Sequence, residues 1–414
     1  VMKYQTLKDE KEFLKLAIAT GINRFGDSID ALALTWLVYA ITGDAMYSAF
    51  NFGINYLPTI FLTPFMGAFI EKRNKKRLMA LSDFLRSLLV MLLILFYMFQ
   101  QLNVYIIMFT TFMISILETL RVPSSTPMIA SLVPKEKYDI AQSLHTSLSK
   151  SLEIVGMGLA GILLNSFGIM ITFIIDCLSF IVSGLMIGHI HFHDNSNIQK
   201  QSTISLLKEG FHYTQTKQSL IYLCLICCCI NAFLVPINAF SSALSVEVYH
   251  SGPQIVAYLS MGFSIGSVLG ATLYPYISSY MNAKKMIQSL FAGASFFYIM
   301  SILISYIPIT IIKSLFIMTL AILFGMIVVF ANMYGQIMVL QKVHSSYLAR
   351  FSAIMNSFGV STIPLVSFFM SFMSSLFSIQ NIFIFTGIFV MIIGGILLYN
   401  SIDEVIDQDE KDNI

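Results

Sequence analysis

Residues 219–246 read SLIYLCLICCCINAFLVPINAFSSALSV, a run without a single charged side chain. About 20 apolar residues rising about 1.5 Å each cross the hydrocarbon core of a bilayer, so this stretch is long enough to span one. Inside lipid every backbone N–H and C=O must find its partner within the protein, which leaves helices and closed barrels. The run is continuously apolar and lacks the alternation of a barrel strand, so it reads as a helix. Similar runs recur along the whole chain. Of its 414 residues 57% are hydrophobic and 11% charged, with a mean hydropathy of +0.78, whereas soluble domains carry about 25% charged residues. The membrane is the solvent of this fold, and the predicted class is all-α integral membrane.

Working outward from that run, the sequence predicts twelve spans. The first six lie at 13–42, 46–70, 77–100, 103–131, 140–165 and 167–189. The second six lie at 219–246, 254–279, 285–306, 311–340, 349–376 and 380–400. At about 20 residues each they use about 240 residues, which leaves short loops and no separate soluble domain. The chain divides into an N-terminal segment (1–12), a first six-helix half (13–189), a linker (190–218), a second six-helix half (219–400) and an acidic tail (401–414). In the linker Asp194-Asn195-Ser196-Asn197 breaks the chain, and Ile204 to Lys217 reads as an amphipathic surface helix. The polar N-terminus leads into a span longer than a secretory h-region, so no cleaved signal is expected.

The net charge of +2 says little, but the placement of Lys and Arg orients the chain. The N-terminus, the linker, the tail and the loops after spans 2, 4, 8 and 10 carry nearly all of it, and Lys313 is alone on the opposite side. The positive-inside rule then puts both termini in the cytoplasm.

Ionisable side chains within spans cost several kcal/mol unless paired or wet, so they are functional candidates. All of them fall in the first half: Arg24, Asp27 and Asp30 in span 1, Asp83 and Arg86 in span 3, Glu118 and Arg121 in span 4, Lys150 and Glu153 in span 5, and Asp176 in span 6. Arg24/Asp27, Asp83/Arg86, Glu118/Arg121 and Lys150/Glu153 are each three residues apart and can pair along one helix face. Such pairs serve equally as packing or gate elements. Six acids face four bases, and with each base taken by the acid three residues away Asp30 and Asp176 are left over, which makes them the natural proton carriers. Asp27, Glu118 and Glu153 are the further coupling candidates, with Arg24, Arg121 and Lys150 as their charge partners. Asp30 ranks first, because Asp27 one turn away disfavours joint ionisation of the two. The bland alternative is a network in which Asp30 only positions Arg121 or Lys150.

Other motifs are weaker. Cys224 and Cys227 form a C-x-x-C, open to a metal or redox reading, but within an apolar span they read better as small hydrophobes. His189, His191 and His193 could bind a metal or simply cap the end of span 6. Gly156, Gly158 and Gly161 spell G-x-G-x-x-G with no strand before them, so close helix packing explains them better than a dinucleotide. Trp36, Tyr39, Asn231, Asn238, Asn332, Gln336 and Asn356 are aromatic and amide groups set in apolar spans, and are the candidates for a solute cavity. The 35 Phe and 24 Met suit adaptable cavity walls or a lipid-facing surface.

The run Pro123-Ser124-Ser125-Thr126-Pro127 to Leu132-Val133-Pro134, followed by Ala141-Gln142-Ser143-Leu144 and Phe173-Ile174-Ile175-Asp176, resembles the macrolide-efflux-like branch of major facilitator antiporters. The likeness continues through Pro236-Ile237-Asn238-Ala239, Gly262, Gly266 and Gly270, and Tyr347-Leu348-Ala349-Arg350, and so covers nearly the whole chain. It implies the major facilitator fold, with two six-helix halves and a solute cavity between them near the midplane. It also implies a bacterial cytoplasmic-membrane exporter driven by the proton motive force, with no cofactor. The implied partners are a small-molecule solute, protons and membrane lipids, with no nucleic acid, and the implied state is a monomer. The superfamily's loop signature between spans 2 and 3 is matched by Gly67, Glu71, Lys72, Arg73, Lys75, Lys76 and Arg77. By resemblance these form a cytoplasmic gate with Asp83 and Arg86 of span 3. Glu71, Lys72 and Lys75 depart from Asp, Arg and Arg; the lysines keep the charge and lose the planar fork of arginine. Ile114 holds the place of the family's arginine in span 4.

The first reading is therefore proton-coupled efflux of a drug or metabolite. A dedicated exporter of one peptide, siderophore or lipid is the second, and a non-transporting sensor the third. No Ser/His/Asp arrangement, phosphate loop or single-face metal set supports an enzyme.

Overall fold

The computed structural model of the chain describes residues 7–71, 73–134, 137–191, 215, 218–277, 283–343 and 348–399. Among them the chain forms twelve long α-helices and no strand: α1 (Lys11–Thr42), α2 (Ala45–Glu71), α3 (Lys75–Met98), α4 (Val104–Leu132), α5 (Tyr138–Phe167), α6 (Ile169–Gly188), α7 (Gln218–Ala243), α8 (Gln254–Ile277), α9 (Ala283–Ser305), α10 (Thr310–Lys342), α11 (Leu348–Leu376) and α12 (Ile379–Tyr399). Each predicted span coincides with one of them to within a few residues. Ten are long and apolar enough to cross a membrane. In α1 the apolar run is interrupted by Arg24, Asp27 and Asp30, and the later part of α2 includes side chains outside the described residues. The proposed surface helix 204–217 lies outside the described residues except for residue 215. The chain is an all-α, multi-pass membrane protein.

Local sequence sets the helix ends. The Asn74 and Asn103 side chains accept from the Arg77 and Ile106 N–H groups, each at 3.0 Å, and so start α3 and α4. Gly43, at φ 63°, closes α1 with its N–H on Tyr39 O at 2.8 Å, a left-handed position that glycine takes without strain.

The helices sort into two compact units, Val1–Gly43 with Ile54–Thr203, and Asp44–Gly53 with Ile204–Ile414. In the first, α1 packs against α5, α6 and α4, and α3 against α6 and α4. Glycines permit the approach: a Cβ at Gly156 of α5 falls 2.0 Å from Ser28 Oγ and 2.6 Å from Phe25 O of α1. One end of this unit is closed by an apolar cluster that includes Leu7, Phe13, Met79, Met128 and Ile187.

In the second unit α8 packs on α10, α7 on α11 and α9 on α12. Gly262, Gly266 and Gly270 of α8 lie against the backbone of Met318, Ile322 and Met326, and Gly325 of α10 against that of Phe263. Phe297 stacks on Phe324 at 4.3 Å, and Tyr298 meets Phe383 edge-on at 5.3 Å. The Tyr298 hydroxyl donates to Phe233 O beside Pro236, and that of Tyr249 to Ser301 O. Many large apolar side chains, among them Phe109, Phe316, Phe372 and Met391, stand more than half exposed. On membrane-spanning helices that is the surface for lipid.

Candidate functional site

The charges predicted inside the first half converge in the first unit. Asp83 of α3 is fully buried and takes three donors: Arg121 Nε at 2.6 Å and Asn23 Nδ2 at 3.1 Å on Oδ1, and Ser183 Oγ at 2.6 Å on Oδ2. Four helices, α1, α3, α4 and α6, are thereby pinned to one carboxylate. A buried ion pair offsets its desolvation only when its remaining lone pairs are also satisfied, and Asn23 and Ser183 supply that here.

Beside it, Arg86 Nη2 donates to Asp27 Oδ1, and its guanidinium carbon lies 4.1 Å from the centre of the Phe180 ring, a cation–π contact. Arg24 Nη1 reaches Glu118 Oε1 at 2.9 Å and Asp27 Oδ2 at 3.5 Å. Lys150 and Glu153 pair along α5 at 2.9 Å on a more exposed face.

Two of the four predicted same-helix pairs therefore form, Arg24/Asp27 and Lys150/Glu153. The other two exchange partners across helices: Arg86 goes to Asp27 rather than Asp83, and Arg121 to Asp83 rather than Glu118. Spacing within a helix fixes which side chains share a face; the axial offset between neighbouring helices decides which acid each base meets.

Asp30 and Asp176 occupy a different environment. Asp176 is 1% exposed and Asp30 8%. Neither Asp176 oxygen nor Asp30 Oδ1 has a hydrogen-bond partner in the protein. Gly26 makes the room, since a Cβ there falls 2.8 Å from Asp176 Oδ1 and 1.8 Å from Ser179 Oγ. Asp176 thus sits against α1 one turn from Asp30, and the charges that act on it are Asp30, Asp27 and Arg86. Arg121 and Lys150 bind Asp83 and Glu153 rather than Asp30.

Asp83 and Arg86, grouped by sequence with the loop after span 2, belong to this buried network. Of the loop residues, Lys75 is buried at the start of α3, with Lys76 half-buried and Arg77 exposed beside it. Gly67 and Glu71 fall in the last turns of α2 and their side-chain surroundings are not described; Lys72 lies outside the described residues. Among the cavity candidates, Tyr39 is buried and Trp36 half-buried on α1. Asn231 donates to Cys227 O of its own helix at 2.9 Å and lies against Gly359 of α11. Asn238, Asn332, Gln336 and Asn356 are exposed. The cysteines are free thiols. His191 gives its backbone N–H to Glu12 Oε2 at 2.8 Å, and His193 lies outside the described residues.

Sequence reasoning missed Asn23, Ser183, Phe180 and His145. His145 is buried on α5, its Nε2 without a protein partner, within electrostatic reach of Arg121 and Arg24. Asn23 had a signal: with Asp27 and Asp30 it makes an i, i+4, i+7 stripe down one face of α1.

The profile of the Major Facilitator Superfamily matches residues 16–365. The chain is similar to macrolide efflux protein A of Streptococcus pyogenes, 19% identical over 281 residues, 67% of this chain and 69% of that protein. It is also similar to the staphyloferrin A transporter of Staphylococcus aureus, 21% identical over 264 residues, 63% of this chain and 66% of that protein. A crystal structure of the nucleoside transporter NupG superposes with a TM-score of 0.77 at 12% identity, covering 95% of this chain and 98% of that one, a likeness that carries the fold alone. These relatives and neighbours are transporters rather than enzymes. A helical chain with ionisable groups buried in one of its two units, matched over most of its length by that profile, belongs to the major facilitator superfamily of membrane transporters.

Proposed function

We propose that the protein is a proton-coupled exporter of a small amphipathic or hydrophobic solute, working by alternating access in a bacterial cytoplasmic membrane. The observation that carries this reading is the Asp30/Asp176 pair, two buried carboxyls held by no base at hydrogen-bond distance, beside a network in which the other buried acids are paired. A carboxyl with no base bound to it is free to exchange its proton, whereas Asp83 is occupied by three donors. Efflux relatives support the direction of transport, and the basic loops support cytoplasmic termini. Asp30 and Asp176 are the proton carriers, and the basic turn before α3 is the cytoplasmic gate.

The test is uptake of a macrolide into everted vesicles with an imposed pH gradient. Accumulation that collapses when the gradient is dissipated is expected; accumulation indifferent to the gradient contradicts proton coupling. Orientation is read separately: a thiol placed at Asn195 stays unlabelled by an impermeant reagent in intact cells, and labelling there contradicts cytoplasmic termini. The relative named for staphyloferrin A favours a second reading, a dedicated exporter of one peptide, siderophore or lipid. Transport of staphyloferrin A with no transport of macrolides distinguishes it.

A further inference from the structure

Three ion pairs of the first unit are not independent; they join into one line of alternating charge. Arg24 Nη1 is shared between Glu118 Oε1 at 2.9 Å and Asp27 Oδ2 at 3.5 Å, and Asp27 Oδ1 holds Arg86. Side-chain exposure falls along that line, from 33% at Glu118 and 29% at Arg24 through 18% at Asp27 to 3% at Arg86. The line ends at Asp176, whose charge acts on Arg86 and which no base holds at hydrogen-bond distance. Arg86 is buried, yet its Nε and Nη1 make no hydrogen bond within the protein, so it has donors to spare toward a second acid.

We propose that Glu118, Arg24, Asp27 and Arg86 form a charge relay through which the accessible carboxylate of Glu118 controls the proton on the buried Asp30/Asp176 pair. The relay rests on the proton-coupled reading above and adds how the accessible face and the proton site communicate. When the negative charge of Glu118 is cancelled, by a cationic group of a solute or by mutation, Arg24 passes to Asp27. Asp27 then needs Arg86 less, and Arg86 turns its unused donors to the pair. The O–H bond of the carboxyl breaks, the electron pair stays on the carboxylate, and the proton goes to water. Asp27 and Arg24 are positioning residues in this scheme, acting through Arg86.

The surrounding charges are compatible with it. Asp30 and Asp176 feel each other, Asp27 and Arg86, and Arg86 also feels Asp83, which is committed to Arg121. Asp27 feels Glu118 and Arg121 of α4. From α5, His145 and Glu153 act on Arg24, and Cys177 of α6 lies next to Asp176.

The experiment is an infrared pH titration of the full chain in nanodiscs, following the carbonyl stretch of the protonated carboxyls, assigned by its loss in Asp30→Asn and Asp176→Asn. Glu118→Gln is expected to lower the midpoint of that band by about one pH unit, the effect of bringing a cation within reach of an acid. In an Asp27→Asn background Glu118→Gln moves it no further, and Asp27→Glu restores the response. Arg24→Gln cuts the line one link earlier and serves if Asp27→Asn does not fold. An equal shift in the intact and cut backgrounds means a through-space field and overturns the relay, as does no shift in Glu118→Gln alone. If the wild type shows no titrating carboxyl band, the proton reading itself falls, and the relay with it.

Discussion

The two units solve the same packing problem with different chemistry. In the first, α1, α3, α4 and α6 meet on charges: Asp83 binds Arg121, and Arg86 binds Asp27. In the second, helices meet on glycines and rings, with Gly262, Gly266 and Gly270 against the backbone of α10 and Phe297 stacked on Phe324. Every Asp, Glu, Lys and Arg in the middle of a described span lies in the first unit. Small residues let helices approach in a medium that supplies no hydrophobic drive between them, and they have one arrangement. Ion pairs cost more to bury and can have two, because a base can move between acids. A unit built to respond to protons needs the second kind of interior, and one that only has to hold its shape is better made with the first.

Steric substitution at the glycine seam breaks the comparison most strongly. A Cβ at Gly266 falls 2.0 Å from Ile322 O, a backbone atom that cannot give way, so Gly266→Val should abolish accumulation of folded protein. Gly395, with nothing within 4 Å of its Cβ position, is the control, and Gly395→Ala should express normally. Size-exclusion profiles of the two, prepared in parallel, decide it.

The next effect belongs to the first unit. Arg121→Ala strands the fully buried Asp83 and should cost about 3–5 kcal/mol, read as an earlier thermal transition in detergent. Replacing both partners, Arg121→Met with Asp83→Leu, should recover much of that loss. If the double variant is as unstable as the single one, the pair does more than satisfy its own charge.

Much of this division was legible in the sequence, because the run at 219–246 and its counterparts fix the spans, and the ionisable residues within them all fall before residue 177. The loop lysines and arginines carried an orientation for the same reason, being the residues a span excludes. What spacing could not supply was the partner of each charge. Asp83 and Arg86 lie one turn apart and still bond elsewhere, since the offset of α3 against its neighbours is set by packing, at Gly184 of α6, which lies against Ala80 and Asp83, and in the cluster that joins Met79 to Phe13 and Met128. The neutral polar groups that complete the site, Asn23 and Ser183, are indistinguishable in sequence from the many Ser and Asn that bond only to their own helix, as Ser124 does to Leu120 O and Asn238 to Leu234 O.

Between the units the sharpest contrast is the unpaired carboxyl, and Asp30→Asn removes it with almost no change of shape. The substitution leaves the Asp83 and Asp27 pairs untouched, so folding and solute binding should match the wild type. The measurement is pH-driven uphill transport of a macrolide across pH 6 to 8, beside downhill exchange of the same solute in the same proteoliposomes. Loss of uphill transport with exchange retained is the result that proton carriage by Asp30 requires. Uphill transport at the wild-type rate would contradict it and pass the carrier role to Asp176.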